Sequence, residues 1–326
     1  MPDVIAFGEA MVRLAPPHFQ RIEQARAFDI EVGGAELNTA VGLARLGRSV
    51  EWVSAVPDNP LGRVVVNRTR EAGVNTNFVQ TTAGRCGLYF LEFGAAPRAS
   101  SILYDRTDSS ISRAVPGQFD WPRIFAGAKW FHVTGITAAL SANAAEVVAE
   151  ALRVAKASGL GTSIDLNYRS KLWTPAEAGK TMATLIGGVD LLVATEGDAE
   201  QLFDIRAASF TEVAKQFAER FGVKHVAGTK RETPLVWRNR FGAVGYANGQ
   251  FHETPWYEVE IVDRLGAGDA LASGLIHGLL DGDFAKGLHY GAALGALKHT
   301  VPGDLPLVAL DEVEAVLAGQ GLRIRR

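Results

Sequence analysis

Along most of the chain, short runs of β-branched and aliphatic residues alternate with stretches whose apolar positions recur at helical spacing. Val4–Phe7 reads as a first strand closed by Gly8, and Glu51–Val56 as another, followed by a helix near Leu61–Ala72. Lys129–Val133, Leu160–Leu166, Asp190–Ala194 and Lys224–Ala227 continue the series, each an apolar run bounded by turn residues. Between them Val148, Leu152 and Ala155 share one helical face, with Ser141 where a cap belongs. Thr174-Pro175-Ala176-Glu177 joins a capping box to Pro at the first helical position, which marks a helix start. This alternation predicts an α/β fold, a parallel sheet covered by helices on both faces.

Two stretches break the rhythm. Ala27–Val32 and Gly87–Tyr104 carry β-type residues without an intervening helix, the second around the loop Gly94–Ser101. They read as a small antiparallel sheet standing off the main one, a lid. Its exposed face would carry the aromatics of 89–93, which a ligand or a second subunit covers. With no repeat, low-complexity segment or linker, one domain over 1–326 is expected, its lid formed by about 12–33 and 86–106.

Composition narrows the class. Lys+Arg number 33 against 36 Asp+Glu, a net charge of −3, so no basic excess points to nucleic acid or an anionic membrane. Charged residues at 21% and hydrophobic ones at 47% exclude a disordered chain. The single cysteine, Cys86, excludes an internal disulfide framework and a Cys-rich zinc site, and suits a reducing cytosol. Met1-Pro2-Asp3-Val4 lacks the basic start of a signal peptide, and apolar runs such as Leu191–Ala194 fall far short of the roughly 20 residues of a membrane span. The expectation is a soluble cytoplasmic enzyme.

The segment richest in chemistry is Asp263-Arg264-Leu265-Gly266-Ala267-Gly268-Asp269-Ala270, between the strand-like run Tyr257–Val262 and an apolar helix through Leu271, Leu275 and Leu279. Glycines at a helix start let backbone N–H groups approach an anion, and the helix dipole favours it there. An acid directly after such a nest would repel phosphate, so its presence suggests a base taking the proton from an attacking hydroxyl. A plain strand-to-helix turn, with Asp269 as a first-turn helix charge, explains the same residues. Gly33-Gly34-Ala35-Glu36-Leu37-Asn38 is a second glycine-led helix start, either a sugar-hydroxyl contact or a helix entry with a solvated Asn38. Two lookalikes fail: Gly179-Lys180-Thr181 has Thr174 where a P-loop needs Gly, and Gly266-Ala267-Gly268 has Leu271 where a dinucleotide fingerprint needs its third Gly. The seven histidines form no metal or triad spacing, and Trp52, Trp121 and Trp130 read as core or interface.

Together, Gly33-Gly34…Asn38 and Gly-Ala-Gly-Asp at 266–269 resemble the two signatures of the ribokinase/pfkB family of carbohydrate kinases, in order and separation, over about Ile5 to Leu317. The resemblance implies a ribokinase-like, doubly wound, mostly parallel sheet with a small β-sheet lid, and ATP-dependent phosphorylation of a sugar hydroxyl. Asp269 would be the base, and the amides of Gly266, Ala267 and Gly268 the anion hole. Within the family the likeness is greatest to 2-keto-3-deoxygluconate kinases, through Tyr104-Asp105-Arg106, His132-Val133-Thr134-Gly135-Ile136 and Asp165-Leu166-Asn167-Tyr168-Arg169. That substrate is a sugar acid, and arginine pairs with carboxylates through parallel charge-assisted hydrogen bonds, which makes Arg106 and Arg169 its candidate partners. Gly33, Gly34, Asn38, Tyr89 and Tyr104 would line the same pocket. The product would be the 6-phosphate.

On the nucleotide side the resemblance implies Asn167, Thr229, Gly266, Gly268 and His299, the last within Ala296–His299 where the family's adenine pocket forms. Three departures stand out. Thr195-Glu196-Gly197-Asp198 replaces an Asn-x-x-Glu element that places Mg²⁺ through water, leaving Asp198 as the acid or the run as a helix-terminal acidic cluster. Gly228–Thr233 replaces a Gly-x-Lys-Gly-like turn, so Lys230 and Arg231 are either contacts or a solvated loop. Arg264 replaces the commoner Thr or Pro after Asp263, which either holds the nest or binds a monovalent cation. The alternatives are a neutral-sugar kinase, like fructokinase or ribokinase, and a catalytically weak sugar-binding protein on the same fold. A homo-oligomer, a dimer through the lid, is the expected assembly.

Overall fold

The alternating runs become strands because successive side chains point to opposite faces of a sheet, and here both faces are buried. The computed structural model describes residues 1–320; of the domain expected over 1–326, residues 321–326 lie outside the described residues. In chain order the strands are β1 (Val4–Phe7), β2 (Met11–Ala15), β3 (Asp29–Gly33), β4 (Val50–Pro57), β5 (Val79–Thr82), β6 (Leu88–Glu92) and β7 (Ser101–Asp105). They continue with β8 (Trp130–Thr134), β9 (Gly161–Asp165), β10 (Leu191–Val193), β11 (His225–Leu235), β12 (Arg238–Ala247), β13 (Gln250–Glu253) and β14 (Tyr257–Glu260).

Ten strands form the large sheet, ordered β13-β12-β11-β10-β9-β8-β1-β4-β5 with β14 also on β12. From β11 to β5 all neighbours are parallel, while β12 to β14 add an antiparallel edge. Strand order runs outward in opposite directions from the adjacent pair β1 and β8. Their C-terminal ends therefore flank a topological switch point, the crevice where ligands of such sheets bind. Ile5, Phe7, Val53, Phe131 and Ile164 fill one side of the sheet, and Val4, Ala6, Trp52, Trp130 and Leu191 the other. Trp52, Trp121 and Trp130 are all buried, as core residues. Ser141 and the Thr174 capping box start helices Ala142–Ala157 and Pro175–Leu185 as the sequence predicts. No described helix is long and apolar enough to cross a membrane.

Three expectations need correction. The strand at Lys224–Ala227 does not give way to a loop: β11 runs on through 228–233 because β12 pairs with it along that length. The small sheet, ordered β3-β2-β6-β7, is mixed rather than antiparallel, since β2 and β6 are parallel. β2 follows β1 and β6 follows β5, so both leave the large sheet at its C-terminal end and run outward side by side. The run 89–93 does not present its aromatics outward as a block: Tyr89 and Leu91 turn inward and are buried. The inner face carries the row Glu31, Arg13, Tyr89 and Tyr104 in direct register; the outer face carries Ile30, Leu14, Phe90 and Leu103.

Candidate active site

Helix Ala267–Leu280 starts at Gly266, whose φ of 84° and whose contact with Asp304 both demand glycine; a Cβ there would lie 2.0 Å from the Asp304 carbonyl oxygen. The first N–H groups of a helix have no partner inside it, and no side chain caps this one, so the turn offers donors and a positive dipole end to an anion. Asp269 sits in that first turn, buried. Burial raises its pKa to about 6, while a hydrogen bond from Asn38 and the charge of Arg169 oppose the rise.

Asn38 comes from helix Ala35–Arg45, which starts after Gly33-Gly34. It is not a solvated first-turn residue: it is buried, accepts from the Gly34 N–H at 3.3 Å through Oδ1, and donates through Nδ2 to Asp269 Oδ2 at 2.7 Å. The backbone contact therefore fixes which end of the amide faces the acid. Gly34 is required because a Cβ would lie 2.0 Å from the Glu9 carbonyl oxygen.

On one side of Asp269 a pocket of about 80 Å³ brings together Gly33, Gly34, Asn38, Tyr89, Tyr104, Arg106, Arg169 and Gly266. Every residue expected against the sugar lines it. Sequence reasoning missed Glu9, Asp304 and Arg13. Glu9, buried two residues past the C-terminal end of β1, forms an ion pair with Arg106, leaving Glu9 Oε1 and Arg106 Nε without hydrogen-bond partners. Asp304 accepts from the Tyr89 hydroxyl at 2.6 Å and from Arg13 at 2.8 Å; Arg13 also reaches Asp263 at 2.6 Å. Strand-end position at the switch point is the signal that could have found Glu9. Asp304, in irregular chain, carried none.

On the other side lies a cleft of about 940 Å³ lined by Asp165, Asn167, Asp198, Thr229 and Gly266–Asp269, with Arg169, Gly266 and Asp269 common to both. Asp269 stands at the junction. Asp165 lies in the run that carries the family likeness, Asp165–Arg169. It is buried at the end of β9, and burial together with the negative charges of Asp269 and Asp198 raises its pKa. Asp198 closes the capping box with Thr195 at 2.8 Å while lining the cleft, so the helix-terminal and cleft readings both describe it. No described cluster of three or more His, Cys, Asp or Glu forms a ready-made metal cage. Asp165 and Asp198 suit Mg²⁺, which binds through one or two carboxylates plus water and phosphate, and a cation would relieve their mutual repulsion.

His299 is not brought to the cleft. It is 1% exposed, its Nδ1 is 2.7 Å from the Gly295 carbonyl and its ring meets Phe241 edge-on at 5.1 Å. The β11–β12 hairpin covers that helix face, and burial lowers the imidazole pKa to about 4. Asp263 lies behind the nest, accepting from the N–H groups of Leu265 and Gly303, each at 3.2 Å. Lys230 is no solvated loop residue either: it bonds the Thr254 carbonyl at 3.2 Å and sits over Trp256.

Residues 1–307 match the family described as pfkB family carbohydrate kinase. The 2-dehydro-3-deoxygalactonokinase of Haloferax volcanii is 39% identical over 325 residues, covering 99% of each chain. A 5-dehydro-2-deoxygluconokinase of Shouchella clausii is 29% identical, covering 98% of this chain and 96% of its own. The crystal structure of 2-dehydro-3-deoxygluconokinase from Thermotoga maritima superposes with a TM-score of 0.95 at 40% identity, covering 98% of this chain and 100% of that one.

Proposed function

The chain belongs to the pfkB family of carbohydrate kinases, and from that premise we propose that it transfers the γ-phosphoryl group of ATP to the primary hydroxyl of 2-keto-3-deoxygluconate, giving the 6-phosphate. The observation that carries the sugar acid is Arg169: exposed at the mouth common to both cavities, its guanidinium makes no hydrogen bond or ion pair among the described residues, so that charge is free for a carboxylate. The relatives at 39% and 40% identity are named for the two epimeric acids.

Asp269 takes the hydroxyl proton, with Oδ2 held by Asn38 and Oδ1 left to accept it; a carboxyl near pKa 6 is ionised at neutral pH yet basic enough to serve. As that proton leaves, the sugar oxygen bonds to the γ-phosphorus and the bond to ADP breaks. The amides of Gly266, Ala267 and Gly268 hold the charge spreading over the transferring group. Mg²⁺ at the Asp165 and Asp198 side would neutralise phosphate charge there. Asn167 and Thr229 line the nucleotide cleft.

The pocket is narrow, roofed by Tyr89, Tyr104 and Arg106 of the small sheet, and entry of a six-carbon acid is eased when that sheet swings away. That sheet, 12–33 and 86–106, acts as a lid on one domain, and closure excludes water from ATP. Its apolar outer row fits a second copy, a dimer through the lid. The cytoplasm is the compartment proposed for an ATP-dependent reaction of this kind.

A neutral sugar is the second reading, and one observation favours it: the charge of Arg106 is already met by Glu9. ADP release measured over 2-keto-3-deoxygluconate, its galacto epimer, fructose and ribose decides. Turnover fastest with fructose or ribose would sink the acid reading.

A further inference from the structure

The carboxylates behind the nest pose a charge problem. Arg13 bridges Asp263 and Asp304, so the three together carry one net negative charge directly beneath donors meant for an anion. The resemblance to the family implies a monovalent cation at Asp263, but the residues present do not fit an exchangeable ion. Lys298, the last residue of helix Phe284–Lys298, is 0% exposed, and its ammonium donates to the carbonyl oxygens of Val301 at 3.0 Å and Asp263 at 3.5 Å. It makes no direct ion pair among the described residues. Its Cε packs against Gly266, within 3.4 Å of where a Cβ would stand. An ammonium and a potassium ion are alike in charge and size and both accept backbone carbonyl oxygens as partners.

We propose that Lys298 is a built-in monovalent cation: its ammonium, held by two backbone carbonyl oxygens behind Gly266, keeps the nest positive and makes the enzyme independent of added potassium. The proposal rests on the kinase reading for its catalytic part alone. Burial lowers the pKa of the ammonium and the nearby charge of Arg13 adds to that, while Asp263, Asp304 and Asp269 oppose the fall. Lys298 is a positioning residue, since it touches the nest's backbone and not the substrate.

The test compares wild type with Lys298→Met and Lys298→Ala in choline chloride and in potassium or ammonium chloride, by thermal melting and sugar-dependent ADP release. Wild type should have the same Tm and kcat in every salt. Lys298→Met should lose about 10- to 100-fold in kcat with little change in the sugar KM. Lys298→Ala should regain Tm and part of kcat in potassium or ammonium but not in choline. A wild type that gains Tm or rate from potassium, a Lys298→Met enzyme with normal kcat, or an alanine variant indifferent to all three cations overturns the proposal. Wild type without ADP release on any sugar would instead defeat the kinase reading, while the melting pattern would still decide this one.

Discussion

The Asn38 amide donates to Oδ2 of Asp269 at 2.7 Å, joining two glycine-led helix starts that lie 231 residues apart in the chain. This bond lowers the pKa of an acid that burial has raised to about 6. A base works deprotonated, so kcat/KM should rise with pH through about 6 and level off above it. Asn38→Ala removes a bond to the charged form, so the rising limb should move up by about one pH unit. A limb that stays in place would assign it to another group.

Replacing Asp269 itself separates chemistry from stability. Asp269→Asn should cut kcat about 10²- to 10⁴-fold while 2-keto-3-deoxygluconate still raises its Tm. The folded pKa lies above the ordinary 3.8, so the ionised acid destabilises the fold above about pH 6, progressively less below it, and not at all below 3.8. Asp269→Asn should therefore be the more stable protein at pH 8, by up to about 3 kcal/mol, and gain nothing near pH 4. Urea denaturation at both values checks this, and an equal difference at the two would refute it.

Asp269 and Asn38 stood out because each lies in the first turn after glycines. Local sequence left each open to a plain helix-entry reading, and only the two motifs together, as a family resemblance, pointed to the site. Tyr89, Tyr104, Arg106 and Arg169 were legible only through family resemblance, since nothing near them in sequence says which way they point. The pairs Arg106–Glu9 and Arg13–Asp304 join residues 97 and 291 apart, and charge complementarity over such distances leaves no local pattern. His299 shows the opposite failure. Helical spacing left its face undecided, and the hairpin of β11 and β12, which extends well past the strand expected at Lys224–Ala227, settled it as buried.

Arg169→Ala distinguishes acid from neutral sugars. Loss of charge-assisted hydrogen bonds should raise KM for 2-keto-3-deoxygluconate about tenfold to a hundredfold and leave fructose unaffected. Steady-state kinetics on both sugars read the difference. Equal losses on the two would mean that Arg169 serves the nucleotide instead.

Ile30 and Leu103 are 51% and 58% exposed at the ends of the row that crosses all four strands of the small sheet. Burying that row in a second copy would remove apolar area from water. Leu103→Asp should shift the protein from dimer to monomer in light scattering after gel filtration, with its circular dichroism unchanged. A wild type that is already monomeric at micromolar concentration would exclude the interface.

Arg13 ties β2 of the small sheet to both carboxylates behind the nest. Arg13→Met keeps bulk but leaves Asp263 and Asp304 buried without their shared partner, at a cost of about 3–5 kcal/mol near neutral pH. Burial already raises the pKa of Asp304, and the guanidinium opposes that rise together with the Tyr89 hydroxyl; without Arg13 the carboxyl moves further up. The part of Arg13's stabilisation that depends on an ionised Asp304 is present at neutral pH and fades as the pH falls and this carboxyl takes up its proton. Denaturation curves for wild type and Arg13→Met should therefore converge on acidification. Curves separated by the same free energy at pH 7.5 and pH 5 would show that Arg13 acts through packing over Phe93 rather than through charge.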